Sequence, residues 1–324
     1  MFAMRVLCAL MALLLLAATA GAQDVYPNRQ ITLIAPYAAG GSTDLVARVL
    51  SEGLRSKFNQ PVTVENKPGG NGVIGTREMV KSPPDGYTLL IGALGAQVLP
   101  AVMAPNFPFD PSRDFVPIAG LAEWAGVMLV RKDLPVSSLK DFIAYAKRRP
   151  NALNFGSSGY GSVVHLIAEI LMRETGIHMQ HVPYKGGASS MTDLISGSLD
   201  VLFTSSPVAV GQVENANVKM LAVASKHRLQ HLPNVPTMAE AGIAGVDQTQ
   251  WLGLLGPAGL PDAIRDKLSD ATVDIIAEAD TQARLRRIGF EPLGTGAAAF
   301  DAFYRREIKR WAQFVKEVGL TEKQ

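Results

Sequence analysis

Again and again in this chain a short apolar run rich in β-branched residues gives way to a loop of glycine and serine. The loop then gives way to an apolar stripe at helical spacing. Strands alternating with helices build α/β layers with largely parallel sheets, so this recurring junction constrains the fold more than any other feature. The first instance is the clearest. Ile31, Thr32, Leu33 and Ile34 read as a buried strand. Leu45, Val46, Val49 and Leu50 recur at helical spacing, with Arg48, Ser51 and Glu52 off the stripe. Between them lies Ala35-Pro36-Tyr37-Ala38-Ala39-Gly40-Gly41-Ser42-Thr43-Asp44. Gly40 and Gly41 let the backbone turn through positive φ and approach a ligand closely. Ser42 or Thr43 is expected to cap the helix, and Asp44 suits its first turn. The free N–H groups and positive dipole end of such a turn bind an anion with no charged side chain.

The pattern repeats. A strand at residues 62–65 leads into Asn66-Lys67-Pro68-Gly69-Gly70-Asn71-Gly72-Val73-Ile74-Gly75. Gly70, Gly72 and Gly75 match G-x-G-x-x-G, the dinucleotide fingerprint. That reading fails, because this is the second βα unit and the next strand, 87–91, ends in Gly-Ala-Leu-Gly with no acid to hold a ribose. Close packing of the turn explains these glycines better. After 92–97 the chain is Pro-rich and reads as irregular, then extended at 115–120 and 127–130. Residues 138–149 form an amphipathic helix closed by Pro150. Strand 153–155 precedes the loop Gly156-Ser157-Ser158-Gly159-Tyr160-Gly161-Ser162, and a helix over 163–174 carries His165 in its first turn. Strand 181–184 precedes the loop 185–190 and a helix at 191–196. Strand 200–203 ends at Thr204-Ser205-Ser206-Pro207. Residues 219–224 and 251–255 are extended, and helices over 262–278, 281–288 and 297–318 close the chain. Ligands of such sheets sit beyond the carboxyl ends of the strands. Two loop clusters lie there, 40–43 with 92–97 and 157–162 with 184–187. Two sheets facing across a cleft would bring both to one ligand.

Length and composition narrow the classes. The chain has 324 residues, 48% of them hydrophobic, enough for two domains with cores of their own. Its formal net charge of +2 gives no support to nucleic-acid binding. Residues 1–22 read as a secretory signal: Arg5, an apolar run over 6–18, and the small-residue site Ala20-Gly21-Ala22. The apolar run is short for a membrane span, and no later stretch is long enough. Cys8, the single cysteine, lies inside the signal, so the mature chain has no thiol or disulfide. Periplasm is the expected compartment. No H-E-x-x-H or Cys/His cluster supports a metal, no Walker sequence supports a nucleoside triphosphate, and no cofactor is expected. Ser157, Ser158, His165 and Asp193 could be assembled into a triad, but Gly156-Ser157-Ser158-Gly159 lacks the G-x-S-x-G spacing. An exported hydrolase using Ser158 and His165 is therefore the second reading.

Several stretches together resemble the Bug-type receptors, periplasmic substrate-binding proteins of the tripartite tricarboxylate transporter class. They are Tyr26-Pro27-Asn28-Arg29-Gln30-Ile31, the loop from Pro36 to Asp44, Val64-Glu65-Asn66-Lys67-Pro68-Gly69, Pro84-Asp85-Gly86-Tyr87-Thr88-Leu89, His181-Val182-Pro183-Tyr184-Lys185-Gly186 and Val235-Pro236-Thr237-Met238-Ala239-Glu240-Ala241-Gly242. The resemblance runs in order along the whole mature chain. It implies an α/β, type II periplasmic-binding-protein fold of two lobes with mixed, mainly parallel sheets and a ligand cleft between them. Residues 23–120 plus 250–324 would form lobe 1, and 121–249 lobe 2. It implies no enzymatic activity. It implies a monomeric receptor whose ligand is a small carboxylate, held mainly by backbone amides and passed to membrane transporter subunits or a sensor domain. By position the first-lobe site is Tyr37, Ala38, Ala39, Gly40, Gly41, Ser42, Thr43 and Asp44, with Ala93, Leu94, Gly95, Ala96 and Gln97. The second-lobe site is Ser157, Ser158, Gly159, Gly161, Ser162 and His165, with Tyr184, Lys185, Thr204 and Ser205. Many members carry a Thr-Asn-Gly-Thr-like segment at 93–96 and Asp-Asn at 204–205. Here both places have lost polarity or an acid, which argues against an amino-acid ligand.

Overall fold

The computed structural model describes residues 26–104, 106–184 and 187–318. The signal segment 1–22 and Lys185 lie outside the described residues. The first three strands are β1 (Ile31–Ala35), β2 (Val62–Asn66) and β3 (Thr88–Ala93), with β1 parallel to both others. The helices α1 (Ser42–Phe58) and α2 (Val73–Val80) follow β1 and β2. After β3 comes a π-helical turn, Leu94–Val98, that runs into α3 (Leu99–Met103), where the prolines had suggested irregular chain. Pro100 sits in the first turn of α3, where its missing N–H has no helical partner to lose. Ile31, Leu33, Ile34 and Ala35 are all buried, the continuous apolar run expected of a strand covered on both faces.

The chain then enters β4 (Phe115–Arg131), one strand where two shorter ones were expected. Pro117, Gly120 and Gly126 disguise it, since proline removes a ladder donor and glycine weakens a strand. The structure absorbs the first two in register shifts against its neighbour, at Pro117/Ala119 and Gly120/Ala122. There follow α4 (Leu139–Lys147), β5 (Asn154–Ser157), α5 (Val163–Thr175), β6 (Gln180–Pro183), α6 (Gly187–Ser196), β7 (Val201–Ser205), α7 (Ser206–Val210) and β8 (Val218–Ala224). The chain ends with β9 (Thr249–Pro257), α8 (Asp262–Ala277), α9 (Ala279–Arg287), β10 (Glu291–Thr295) and α10 (Ala297–Val318). Strand β10 was not anticipated; it is short, half-buried throughout, and interrupted by Pro292 and Gly294.

Strand β4 joins two sheets. Its first part pairs with β9 and β10 in the order β2-β1-β3-β9-β4-β10, and its second part with β7 and β8 in the order β6-β5-β7-β4-β8. Ala125 is the last residue paired with β9, and Gly126 the first paired with β7 and β8. Side chains alternate beyond this point: Met128 and Val130 join a core continuous between the sheets, whereas Ala125, Val127 and Leu129 join the outer core of the second. Ser206 ties the crossing together, accepting from Ala125 N–H at 3.3 Å and donating to Gly289 O at 2.8 Å. Trp251 is core: it is 1% exposed and packs edge-on to Tyr304 and Phe300.

Candidate functional site

The β1–α1 junction spends two of its amides within the loop, Gly40 N–H on Asp44 Oδ2 and Gly41 N–H on Ala38 O at 3.2 Å. Gly40 has φ +79°, in the left-handed region, whereas Gly41 is extended at φ −78° and serves as the N-cap. Ser42 and Thr43 therefore sit inside the helix, and no side chain caps its first turn. Asp44 folds back instead. Its Oδ2 accepts from Gly40 N–H at 2.9 Å and Arg48 Nε at 3.0 Å, and Oδ1 lies 3.0 Å from Arg48 Nη2. Burial works to raise this carboxyl, but the hydrogen bonds from Arg48 and Gly40 outweigh it and hold the group below the usual carboxylate range. Asp44 is thus an ionised strut of the loop. Thr43 is buried with no partner for Oγ1, and Ala38, Ala39 and Gly40 are exposed.

Three loops of the first sheet are laced together by asparagines that the sequence reading did not single out. Asn66 Nδ2 donates to Tyr37 O at 3.2 Å, Tyr37 Oη to Asn71 Oδ1 at 3.1 Å, and Asn71 Nδ2 to Gly95 O at 3.1 Å. The Gly70–Gly72 turn is a packing device. A Cβ on Gly72, whose φ is +91°, would lie 2.8 Å from Ala96 Cβ and 3.4 Å from Pro36 Cβ. In the turn after β3, Leu94 and Ala96 are buried and only Gly95 is half-buried. Gln97 is wholly buried. Its Oε1 accepts Ala93 N–H at 2.6 Å, and its Nε2 donates to Thr76 Oγ1 at 2.7 Å. Leu94, Ala96 and Gln97 therefore shape the turn from within, and Gly95 is the part of it that faces out.

In the second sheet Ser162 caps α5, accepting His165 N–H at 3.3 Å. Gly159 and Gly161 take φ +123° and +70°. Ser157 is buried, whereas Ser158 and Tyr160 are exposed. Tyr184 spends its hydroxyl on Asp193 Oδ2 at 2.7 Å; burial first, and Asp193 second, push the phenol up to about 12. Thr204 and Ser205 end β7, buried opposite Val127 and Gly126 at the sheet crossing. The two clusters meet elsewhere. A Cβ built on Gly95 would lie 3.7 Å from both Tyr37 Oη and Val163 Cγ2, and one built on Gly161 would lie 3.6 Å from Met103 Cε.

The arrangement cannot run the hydrolase chemistry. His165 Nδ1 accepts Gly161 N–H at 3.2 Å and Nε2 faces Glu169 Oε1 at 3.3 Å, so neither nitrogen is open to Ser158. Asp193 is engaged by Tyr184. Among the described residues no group of three or more His, Cys, Asp or Glu could hold a metal, and no helix is long and apolar enough to cross a membrane. A separate cavity lined by Gln248, Arg310, Trp311, Gln313 and Phe314 draws on none of the glycine loops.

Known proteins share this architecture. The profile of a family described as "Tripartite tricarboxylate transporter family receptor" matches residues 46–320. The periplasmic binding protein BugD superposes with a TM-score of 0.84 at 31% identity, over 92% of this chain and 100% of that one. A Rhodopseudomonas palustris protein solved with adipate superposes with a TM-score of 0.86 at 33% identity, over 91% and 98%. MatC from the same organism, with bound malate, does so with a TM-score of 0.81 at 30% identity, over 90% and 100%.

Proposed function

The chain belongs to the tripartite tricarboxylate transporter receptor family, and we propose that its ligand is a small organic carboxylate without an ammonium group, gripped between the β1–α1 and β5–α5 loops. It is a solute receptor with the type II periplasmic-binding-protein fold, and not an enzyme. The lobes we assign are residues 26–125 with 249–318, and residues 126–248, because β4 changes partners between Ala125 and Gly126. Residues 1–22 direct the chain to the periplasm, where it works as a monomer and passes its ligand to membrane transporter subunits.

One observation carries the ligand reading: the first turn of α1 has no side-chain cap, and the acid in that turn, Asp44, is already paired. Open amides at a helix start favour an anion. An ammonium enclosed in the same cleft would need an acceptor, and Asp44 is committed to Arg48 and Gly40. Relatives solved with adipate and malate support a dicarboxylate of that size. The second loop contributes less than its sequence suggested, since Ser162 already occupies one of the free amides of α5. A melting-temperature screen of ligand-stripped protein tests the proposal. Adipate, malate, succinate, citrate, benzoate and phthalate are compared with glutamate and aspartate. Saturation at about 100 times the dissociation constant stabilises by roughly 2.7 kcal/mol, which is readily seen. Stabilisation by the amino acids alone would overturn it.

A further inference from the structure

Two imidazoles lie face to face beneath the second-lobe loop. His165 of α5 and His181 of β6 stack with ring centroids 4.1 Å apart and an interplanar angle of 28°. Phe155 flanks both rings, at 4.8 Å from His181 and 6.1 Å from His165, and Tyr160 lies 5.0 Å from His165. Each ring is tied to the loop. His165 Nδ1 accepts Gly161 N–H, so its proton sits on Nε2, which faces Glu169. His181 Nε2 lies 2.7 Å from Ser157 Oγ. That oxygen accepts Gly159 N–H at 3.2 Å and donates to Gly159 O at 3.1 Å. A serine hydroxyl has one proton, and with that proton on Gly159 O, His181 Nε2 is the donor. The amides of Gly159 and Gly161 are thus each fixed by an imidazole, one directly and one through a single hydroxyl. Sequence reading had singled out His165 as a ligand group and left His181 inside a motif without a role.

We infer that the stacked His165–His181 pair is the positioning element of this ligand loop, and that the second lobe captures an anion only while the pair keeps this hydrogen-bonded form. The inference rests on the loop being part of the ligand site. A proton placed on His165 Nδ1 would take away the acceptor of Gly161 N–H and set two N–H donors against each other. Charge facing the pair is sparse. Among the described residues Glu169 of α5 is the carboxylate that acts on the pair, with its side chain 38% exposed. Tyr160 comes from the loop, and Phe155 and Ser157 of β5 are uncharged. Next to β6, the Tyr184 phenol is committed to Asp193. Two imidazolium rings at 4.1 Å would therefore repel with little to offset them. Burial, and then the charge of His165, already push His181 down to about 4.

Amide exchange of the ligand-free full chain, followed by NMR, tests this without any ligand. Protection factors of Gly159 and Gly161 are measured from pH 7 to pH 4 in wild type, His165→Leu, His165→Asn and His181→Gln. Asn places an oxygen near the position of Nδ1, Gln places an N–H near that of Nε2, and neither titrates. In wild type, Gly161 protection should fall at least tenfold from pH 7 to pH 4. In His165→Leu it should be at least tenfold lower already at pH 7. In His165→Asn it should return to within threefold of wild type and stay flat with pH, and Gly159 should behave likewise in His181→Gln. Calorimetric titration with adipate at both pH values adds the binding readout. The acid's own titration is common to all variants, so the loss of affinity at pH 4 should be at least fivefold greater in wild type than in His165→Asn. A flat wild-type profile for Gly161 would overturn the inference. So would undiminished protection in a folded His165→Leu, or an affinity that rises on acidification in wild type relative to His165→Asn. Should adipate bind none of these proteins, the dicarboxylate reading falls, and the amide protections still decide the role of the pair.

Discussion

Replacing Gln97 by leucine separates a residue that shapes the site from one that touches the ligand. Gln97 was expected at the ligand, yet its side chain is fully buried, with Oε1 on Ala93 N–H and Nε2 on Thr76 Oγ1. Leucine is close in size, so the change leaves little cavity, and its effect is dominated by polar groups. Two buried hydrogen bonds disappear, each contributing about 0.5–1.5 kcal/mol net. Ala93 N–H is then left buried without a partner, at a cost of about 1–3 kcal/mol, whereas Thr76 Oγ1 keeps its bond to Gly72 O. The extra apolar burial of leucine offsets part of this, by up to about 1 kcal/mol. With the Ala93 bond counted once, through its orphaned N–H, a net loss of about 0.5–4.5 kcal/mol is expected for Gln97→Leu. Urea unfolding of ligand-free protein, followed by circular dichroism, measures it, with adipate titration on the same sample. Affinity should fall along with stability, because Gly95 is presented by the turn that Gln97 holds. Unchanged stability with abolished binding would refute the reasoning, since it would place the Gln97 amide on the ligand.

The remaining predictions concern pH, the anion loop and export. Between pH 4 and 6.5 the unfolded chain carries the His181 proton and the folded chain does not. The stabilisation from the neutral ring is therefore complete above pH 6.5 and is lost as the pH falls toward 4. The full difference would be roughly 3 kcal/mol, but the ring is only partly buried and solvent screening reduces it to about 1–2 kcal/mol. Subtracting the stability-versus-pH curve of His181→Gln from that of wild type should reveal this slope; parallel curves would contradict it. Ser42→Ala should weaken carboxylate binding by no more than about 1.5 kcal/mol, whereas Gly41→Leu should abolish it. A Cβ at Gly41 already lies 3.1 Å from Ala38 O, and the side chain beyond it would crowd the open amides. Equal losses by calorimetry would show that the hydroxyl, not the backbone, holds the anion. N-terminal sequencing of protein from the periplasmic fraction should begin near Gln23, and an intact Met1 there would refute cleavage of the signal.

Local rules made much of this protein legible without coordinates. The runs before Gly40 and Ser157 are strands, and the stripes after Asp44 and Ser162 are helices, because periodicity depends on residues only three or four apart. Ser138 and Ser162 cap their helices through bonds that close within three residues, whereas the cap expected of Ser42 or Thr43 falls to Gly41. Joint motifs along the chain were enough to identify the family. What required the tertiary structure was every property that depends on distant partners. Strand β4 is continuous because β9, β7 and β8, more than 70 residues away along the chain, pair with it across its proline and glycines. The direction of the Gln97 amide depends on Thr76, and the role of His181 on the His165 ring of the preceding helix. A sequence determines which groups can donate, accept or stack. Which of them meet is decided only when burial removes water as the alternative partner and packing selects a single pairing.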